Sequence, residues 1–134
     1  MIHPKQLLFF VYYYIKRQIA DIFSYFGYYN YPYKIIFLAG MPMSATTWIK
    51  NLCARIPGYF SRPMQMSQTI AINQNIEDSA FKAKPKYGYA LYKTHLNPNK
   101  ENFDCLSRNG IEKIVVTYRD LRDVVISRYY RLIE

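Results

Sequence analysis

Short apolar runs, each closed by charge or glycine, punctuate the chain after residue 33. Ile35-Ile36-Phe37-Leu38-Ala39 lies between Lys34 and Gly40, Tyr89-Ala90-Leu91-Tyr92 leads to Lys93-Thr94-His95, and Lys113-Ile114-Val115-Val116-Thr117-Tyr118 leads to Arg119. Runs of this length read as strands buried on both faces, and they predict three strands near 34–39, 89–94 and 113–118. Helical segments follow two of them. Thr46 to Leu52 places Ile49, Leu52 and Cys53 on one side and is expected to end at Pro57-Gly58, while the third strand runs through Asp120 into a helix carrying Ser127. Residues 59 to 88 show poor periodicity around Met64, Met66, Ile70, Ile72 and Ile76, and Ser67 to Asn75 is the stretch that could be helical. Strands alternating with helices predict an α/β fold, a parallel sheet with flanking helices joined by right-handed crossovers.

Residues 1–33 have a different texture. Leu7 to Ile15 is an unbroken apolar and aromatic run stopped by Lys16-Arg17, after which Ile19, Ile22, Phe23 and Phe26 recur at helical spacing until Gly27 to Pro32 breaks the pattern. The run is too short to span a bilayer, which takes about 20 residues. No small-residue cleavage site follows it, so a secretory signal fits poorly. Two readings of this helical segment stand. In one it packs on the domain. In the other it lies in a membrane interface, with tyrosines at headgroup depth and Lys5, Lys16 and Arg17 towards lipid phosphates.

At Gly40 the first strand turns through Met41-Pro42-Met43-Ser44-Ala45 into a helix that starts at Thr46. Strand, tight turn and helix N-terminus form a natural phosphate site, because first-turn N–H groups are free and the helix dipole is positive there. Ser44, Thr46 and Thr47 would add hydroxyl donors. Set against the Walker pattern G-x-x-x-x-G-K-[ST], Gly40 and Thr47 fit, while Ala45 and Thr46 stand where glycine and lysine belong. Nucleoside triphosphate hydrolysis, or a P-loop kinase, is therefore disfavoured. An ordinary strand-to-helix turn is the plain alternative.

With 134 residues the chain is one domain at most. A formal charge of +9 favours an anionic partner without choosing among nucleotide, nucleic acid and acidic membrane. Cys53 and Cys105 form no C-x-x-C or metal-ligand pattern and read as reduced thiols of the cytoplasm.

Three stretches taken in order change the picture. Pro42 to Trp48 (PMSATTW), the Lys93-Thr94-His95 triplet, and Tyr118-Arg119-Asp120-Leu121-Arg122-Asp123 with Ser127 after it together resemble the sulfotransferase family. That family's phosphosulfate loop reads P-K-S-G-T-T-W, its catalytic strand ends in K-T-H, and its third element reads R-D-P-R-D before a serine. The resemblance covers residues 34–134 and implies a P-loop-like nucleotide-binding domain. It implies sulfuryl transfer from 3′-phosphoadenosine 5′-phosphosulfate to a hydroxyl or amine of a small-molecule or carbohydrate acceptor, with no metal and no nucleic acid. By that resemblance Ser44, Ala45, Thr46, Thr47 and Trp48 bind the 5′ side and flank the adenine. Arg119 and Ser127 hold the 3′-phosphate. His95 is the general base, and Lys93, on the same strand face, contacts the transferring group. Asp120 and Asp123 are read as helix-capping residues. The family's loop lysine is Met43 here and its glycine is Ala45, and the C-terminal R-K-G-x-x-G loop has no counterpart. The expectation is the N-terminal part of a sulfotransferase, or a reduced relative, in which nucleotide binding survives and transfer is slow or absent. A non-catalytic nucleotide- or anion-binding fragment and a basic membrane-associated protein are the alternatives.

Overall fold

A computed structural model of the chain describes residues 4–42, 44–64, 74–82 and 84–133. Its elements are α1 (Pro4–Tyr25), β1 (Ile35–Gly40), α2 (Thr46–Cys53), β2 (Tyr59–Ser61), a 3₁₀ turn (Asp78–Phe81), β3 (Tyr89–Thr94), α3 (Lys100–Arg108), β4 (Lys113–Thr117) and α4 (Leu121–Ile133). The four strands form one parallel sheet in the order β2-β3-β1-β4, so the α/β class is as expected. In the central register Leu38 lies between Lys93 on β3 and Val115 on β4.

The strands β1 and β3 read as continuous apolar runs because both of their faces are covered, whereas β4, expected to be equally buried, is an edge strand with Val116 64 % exposed. On one face Phe37, Ala39, Ala90 and Tyr92 pack with Phe81, Cys105, Leu106 and Ile111. On the other, Tyr59, Tyr89 and Leu91 pack with Ile36, Cys53 and two linker tyrosines, Tyr29 and Tyr31. Successive side chains of a strand point to opposite faces, which divides β1 and β3 between the two clusters. Tyr89 also clamps the linker, its hydroxyl donating to Tyr29 O at 2.9 Å and accepting Tyr31 N–H at 3.1 Å.

Two elements differ from the sequence expectation. The helix α2 stops at Cys53, a turn through Ala54 to Ile56 follows, and Tyr59–Ser61 forms β2, too short a strand to leave a periodic signal. The helix α3 was not expected either. Asn99 starts it, its side chain accepting the Asn102 N–H at 2.9 Å. Asn102 is buried and tied to the segment before it, accepting from Ile76 N–H at 2.8 Å and donating to Gln74 O and Asn97 O. The possible helix over Ser67 to Asn75 falls outside the described residues except for Gln74 and Asn75, which are not helical.

The helix α1 forms over the expected stretch but with the opposite face inward. Ile19, Ile22, Phe23 and Phe26 are all exposed, Phe26 by 77 %. The stripe of reduced exposure is Tyr13, Arg17, Ala20, Asp21 and Ser24, at helical spacing. Arg62 Nη2 donates to both carboxylate oxygens of Asp21, at 2.8 and 2.9 Å, with only 10 % of the Arg62 side chain exposed. A Cβ on Gly88 would lie 1.7 Å from Asp21 Oδ1, so the carboxylate sits in space that only glycine leaves. A largely desolvated ion pair costs several kcal/mol to break by removing one partner, enough to fix the rotation of α1 against its apolar side chains. Among the described residues no helix is long and apolar enough to cross a membrane.

Candidate functional site

The chain leaves β1 for strands on one side of it and later returns to place β4 on the other. Ligands of open parallel sheets bind outside the carboxyl ends of the strands at such a switch point. Gly40, His95 and Thr117 meet there. A Cβ at Gly40 would lie 2.1 Å from Thr117 Oγ1 and under 3 Å from the hydroxyls of Thr46 and Ser44, so the position admits no side chain. Its carbonyl faces His95 Nδ1 at 2.5 Å. A carbonyl only accepts, so Nδ1 carries the proton and Nε2 of the neutral ring keeps its lone pair.

The hydroxyls of Ser44, Thr46 and Thr117 form a closed triangle, with separations of 3.0, 2.7 and 2.8 Å. Ser44 donates its proton to Met41 O at 2.7 Å. The two remaining hydroxyl protons serve the triangle itself, and Ser44 and Thr46 are buried. The hydroxyls of Ser44 and Thr46, expected as donors to a ligand, are thus turned to one another and to Thr117. Their side chains tie the loop to β4. Thr47 alone of the three is exposed, and its Oγ1 accepts from Lys93 Nζ at 2.6 Å.

Ala45 precedes α2 with φ 61 and ψ 16, in the left-handed region, and no side chain caps the helix. Its carbonyl accepts Ile49 N–H at 3.1 Å. The uncapped first turn is left for an outside acceptor. Met43 lies outside the described residues.

A cleft of about 590 Å³ opens over this turn, lined by Ala45, Thr46, Thr47, Trp48, Lys93, His95 and Arg119, together with Pro42, Asn51 and Arg131. Among the described residues three cations and no carboxylate line it. The residues singled out from three separate stretches thus come to one place. Arg131 was not singled out. The available signal is its position four residues after Ser127, on the same helical face. Ser127 is half-buried on α4 and does not line the cleft. Arg128 and Arg131 line an adjoining hollow of about 390 Å³.

Asp120 caps α4, accepting the Arg122 N–H at 2.8 Å, and its hydrogen bonds from the Arg122 side chain and backbone hold its carboxyl below the usual range. Asp123, in the first turn of α4, has a second role beyond its place at the helix start: its Oδ2 lies 3.6 Å from Arg119 Nε. Beyond Gly40 an apolar pocket of about 190 Å³ is lined by Leu96, Phe103, Leu106, Ile114, Val116 and Tyr118 among others. Both cysteines are free, and burial pushes the Cys105 thiol up to about 11. Among the described residues no group of histidine, cysteine and carboxylate side chains is placed to hold a metal. Compared with protein-family models, with curated proteins and with solved structures, the chain matches none.

Proposed function

We propose that β1, the following loop and the start of α2 form a P-loop-like phosphate site, and that the cleft takes 3′-phosphoadenosine 5′-phosphosulfate as sulfuryl donor. The observation that carries this reading is the convergence of Thr47, Trp48, Lys93, His95 and Arg119 on one cleft. Its chemistry suits a polyanion: Lys93, Arg119 and Arg131 line it, none of the described lining residues is acidic, and the helix start is uncapped. Exposed Trp48 offers an aromatic face for the adenine. Arg119 holds the 3′-phosphate, giving up its solvent-exposed pairing with Asp123, and Arg131 stands beside it in the role expected of Ser127.

The donor supplies the group that moves. His95 takes the proton of an acceptor hydroxyl or amine at Nε2, held in that tautomer by Gly40. Lys93, resting on Thr47, offers its ammonium to charge that develops on transfer. The apolar pocket beyond Gly40 supports an acceptor with an apolar body. Binding without transfer is the second reading, favoured by Met43 in place of the family lysine and by the side chain that Ala45 adds to the loop.

Calorimetric titration separates these from unrelated uses of the cleft: 3′,5′-bisphosphoadenosine should bind better than ATP, and equal affinity would remove the proposal. Transfer of labelled sulfate to a panel of phenols, alcohols and sugars then separates catalysis from binding. Met43→Lys should raise transfer, by up to about 10²–10³ if the lost cation is what limits the rate.

A further inference from the structure

The helix α1 presents an apolar arc to solvent, at whose edges Val11, Ile19 and Phe23 also border hollows that α1 forms with the β2 segment. Leu8, Val11, Ile15, Ile19, Ile22 and Phe23 are each at least 46 % exposed. At 100° per residue they span roughly 120° of the helix surface, the width of a fully apolar face rather than of a narrow coiled-coil seam. The single carboxylate of α1, Asp21, is turned inward onto Arg62, so the outward side carries no negative charge. Lys16 is exposed at the margin of the arc, and Arg17 lies 5.3 Å over the Tyr14 ring. Tyr12, Tyr14 and Tyr25 are exposed as well.

We propose that this face of α1 docks on an anionic lipid bilayer, with the helix lying in the interface plane. A 22-residue helix with apolar side chains on one side, amphipathic tyrosine rings and exposed Lys16 at the margin matches what the headgroup boundary offers: apolar depth below, water and lipid phosphate above. The chain's net charge of +9 adds long-range attraction to an anionic surface. A second copy of α1 fits less well. A helix pair would cover a narrow seam and leave the margins of the arc in water, and two like-charged chains of +9 would have to approach. The inward stripe leaves the arc free while α1 stays docked on the sheet, so binding needs no unfolding.

The test is co-sedimentation of the full chain with phosphatidylcholine vesicles, with and without phosphatidylserine. Pelleting should depend on phosphatidylserine and weaken as salt is raised. Ile15→Asp and Ile19→Asp should each lower vesicle affinity roughly tenfold or more, since each removes a side chain from the apolar phase. Both positions are exposed, and unchanged circular dichroism and melting would show that the fold persists. Lys16→Glu should weaken binding only to the anionic vesicles. The proposal is overturned if the chain stays in the supernatant with both vesicle types. It is equally overturned if Ile15→Asp and Ile19→Asp pellet like the natural chain, which would place the attraction in net charge alone. Sedimentation velocity showing a dimer that Ile15→Asp dissolves, with no vesicle binding, would assign the face to self-association instead.

Discussion

His95 Nδ1 meets the carbonyl oxygen of Gly40 across 2.5 Å, joining the end of β3 to the end of β1. The contact orients the ring and leaves Nε2 as its only available base. His95→Ala should lower sulfuryl transfer by at least about 10², the lower end for a general base. His95→Asn is the sharper variant, because its amide N–H can still donate to Gly40 O. It should keep the melting temperature and nucleotide affinity and lose turnover. Turnover retained in both variants would remove His95 from the chemistry.

Arg119 is partly engaged before any ligand arrives, by Asp123 at 3.6 Å. Arg119→Ala should weaken 3′,5′-bisphosphoadenosine by about 1.5–3 kcal/mol, the range for hydrogen bonds to charged groups. Asp123→Asn should act in the other direction and by less, under about 1 kcal/mol, because both side chains are solvated. Calorimetry on the two variants reads both signs. An unchanged affinity in Arg119→Ala would place the 3′-phosphate elsewhere.

Gly40 and Ala45 bracket the loop and make opposite demands. Ala45 sits at φ 61, where a Cβ is strained, so Ala45→Gly should raise stability by about 1 kcal/mol. Gly40→Ala would put a methyl group among the hydroxyls of Thr117, Thr46 and Ser44, and should destabilise the fold and detach the loop from β4. Thermal melting of the two variants should show shifts of opposite sign.

Tyr59 is buried and donates to the Tyr33 carbonyl. Burial, then the neighbouring Tyr89 and Tyr31, pushes its phenol from the ordinary 10.0 up to about 12. Between those values the folded chain holds a proton that the unfolded chain has released. Stability linked to Tyr59 is therefore intact below pH 10 and is lost as pH rises towards about 12. Ultraviolet titration of tyrosinate should show a late phase that Tyr59→Phe diminishes, buried Tyr92, also pushed up by burial, keeping the rest. The same variant should flatten the alkaline decline in melting temperature.

The strands β1 and β3 were legible because burial on both faces leaves a compositional mark that needs no knowledge of the partner, and the edge strand β4 was legible by its β-branched run, although Val116 is exposed. The grouping of Thr47, Lys93, His95 and Arg119 followed, since parallel strands bring their carboxyl ends to one edge. What escaped depends on distant partners. The direction in which α1 faces is decided by Asp21 and Arg62, 41 positions apart, and by the missing side chain at Gly88. The inward turn of Ser44 and Thr46 depends on Thr117, which looks like any β-branched strand residue. Tyr59–Ser61 is too short to show a period, and α3 rests on a cap and on the contacts of one buried amide, Asn102.

Because α1 meets the sheet through Asp21, Ala20 and a few rings, its apolar side chains belong to neither core cluster. The sheet's cooperative unit is then complete without it. The amides of α1 should therefore exchange with solvent through a local opening that parts Asp21 from Arg62, before those of β1 and β3. An arm that opens in this way would be seated or released while the loop after β1 stays in place.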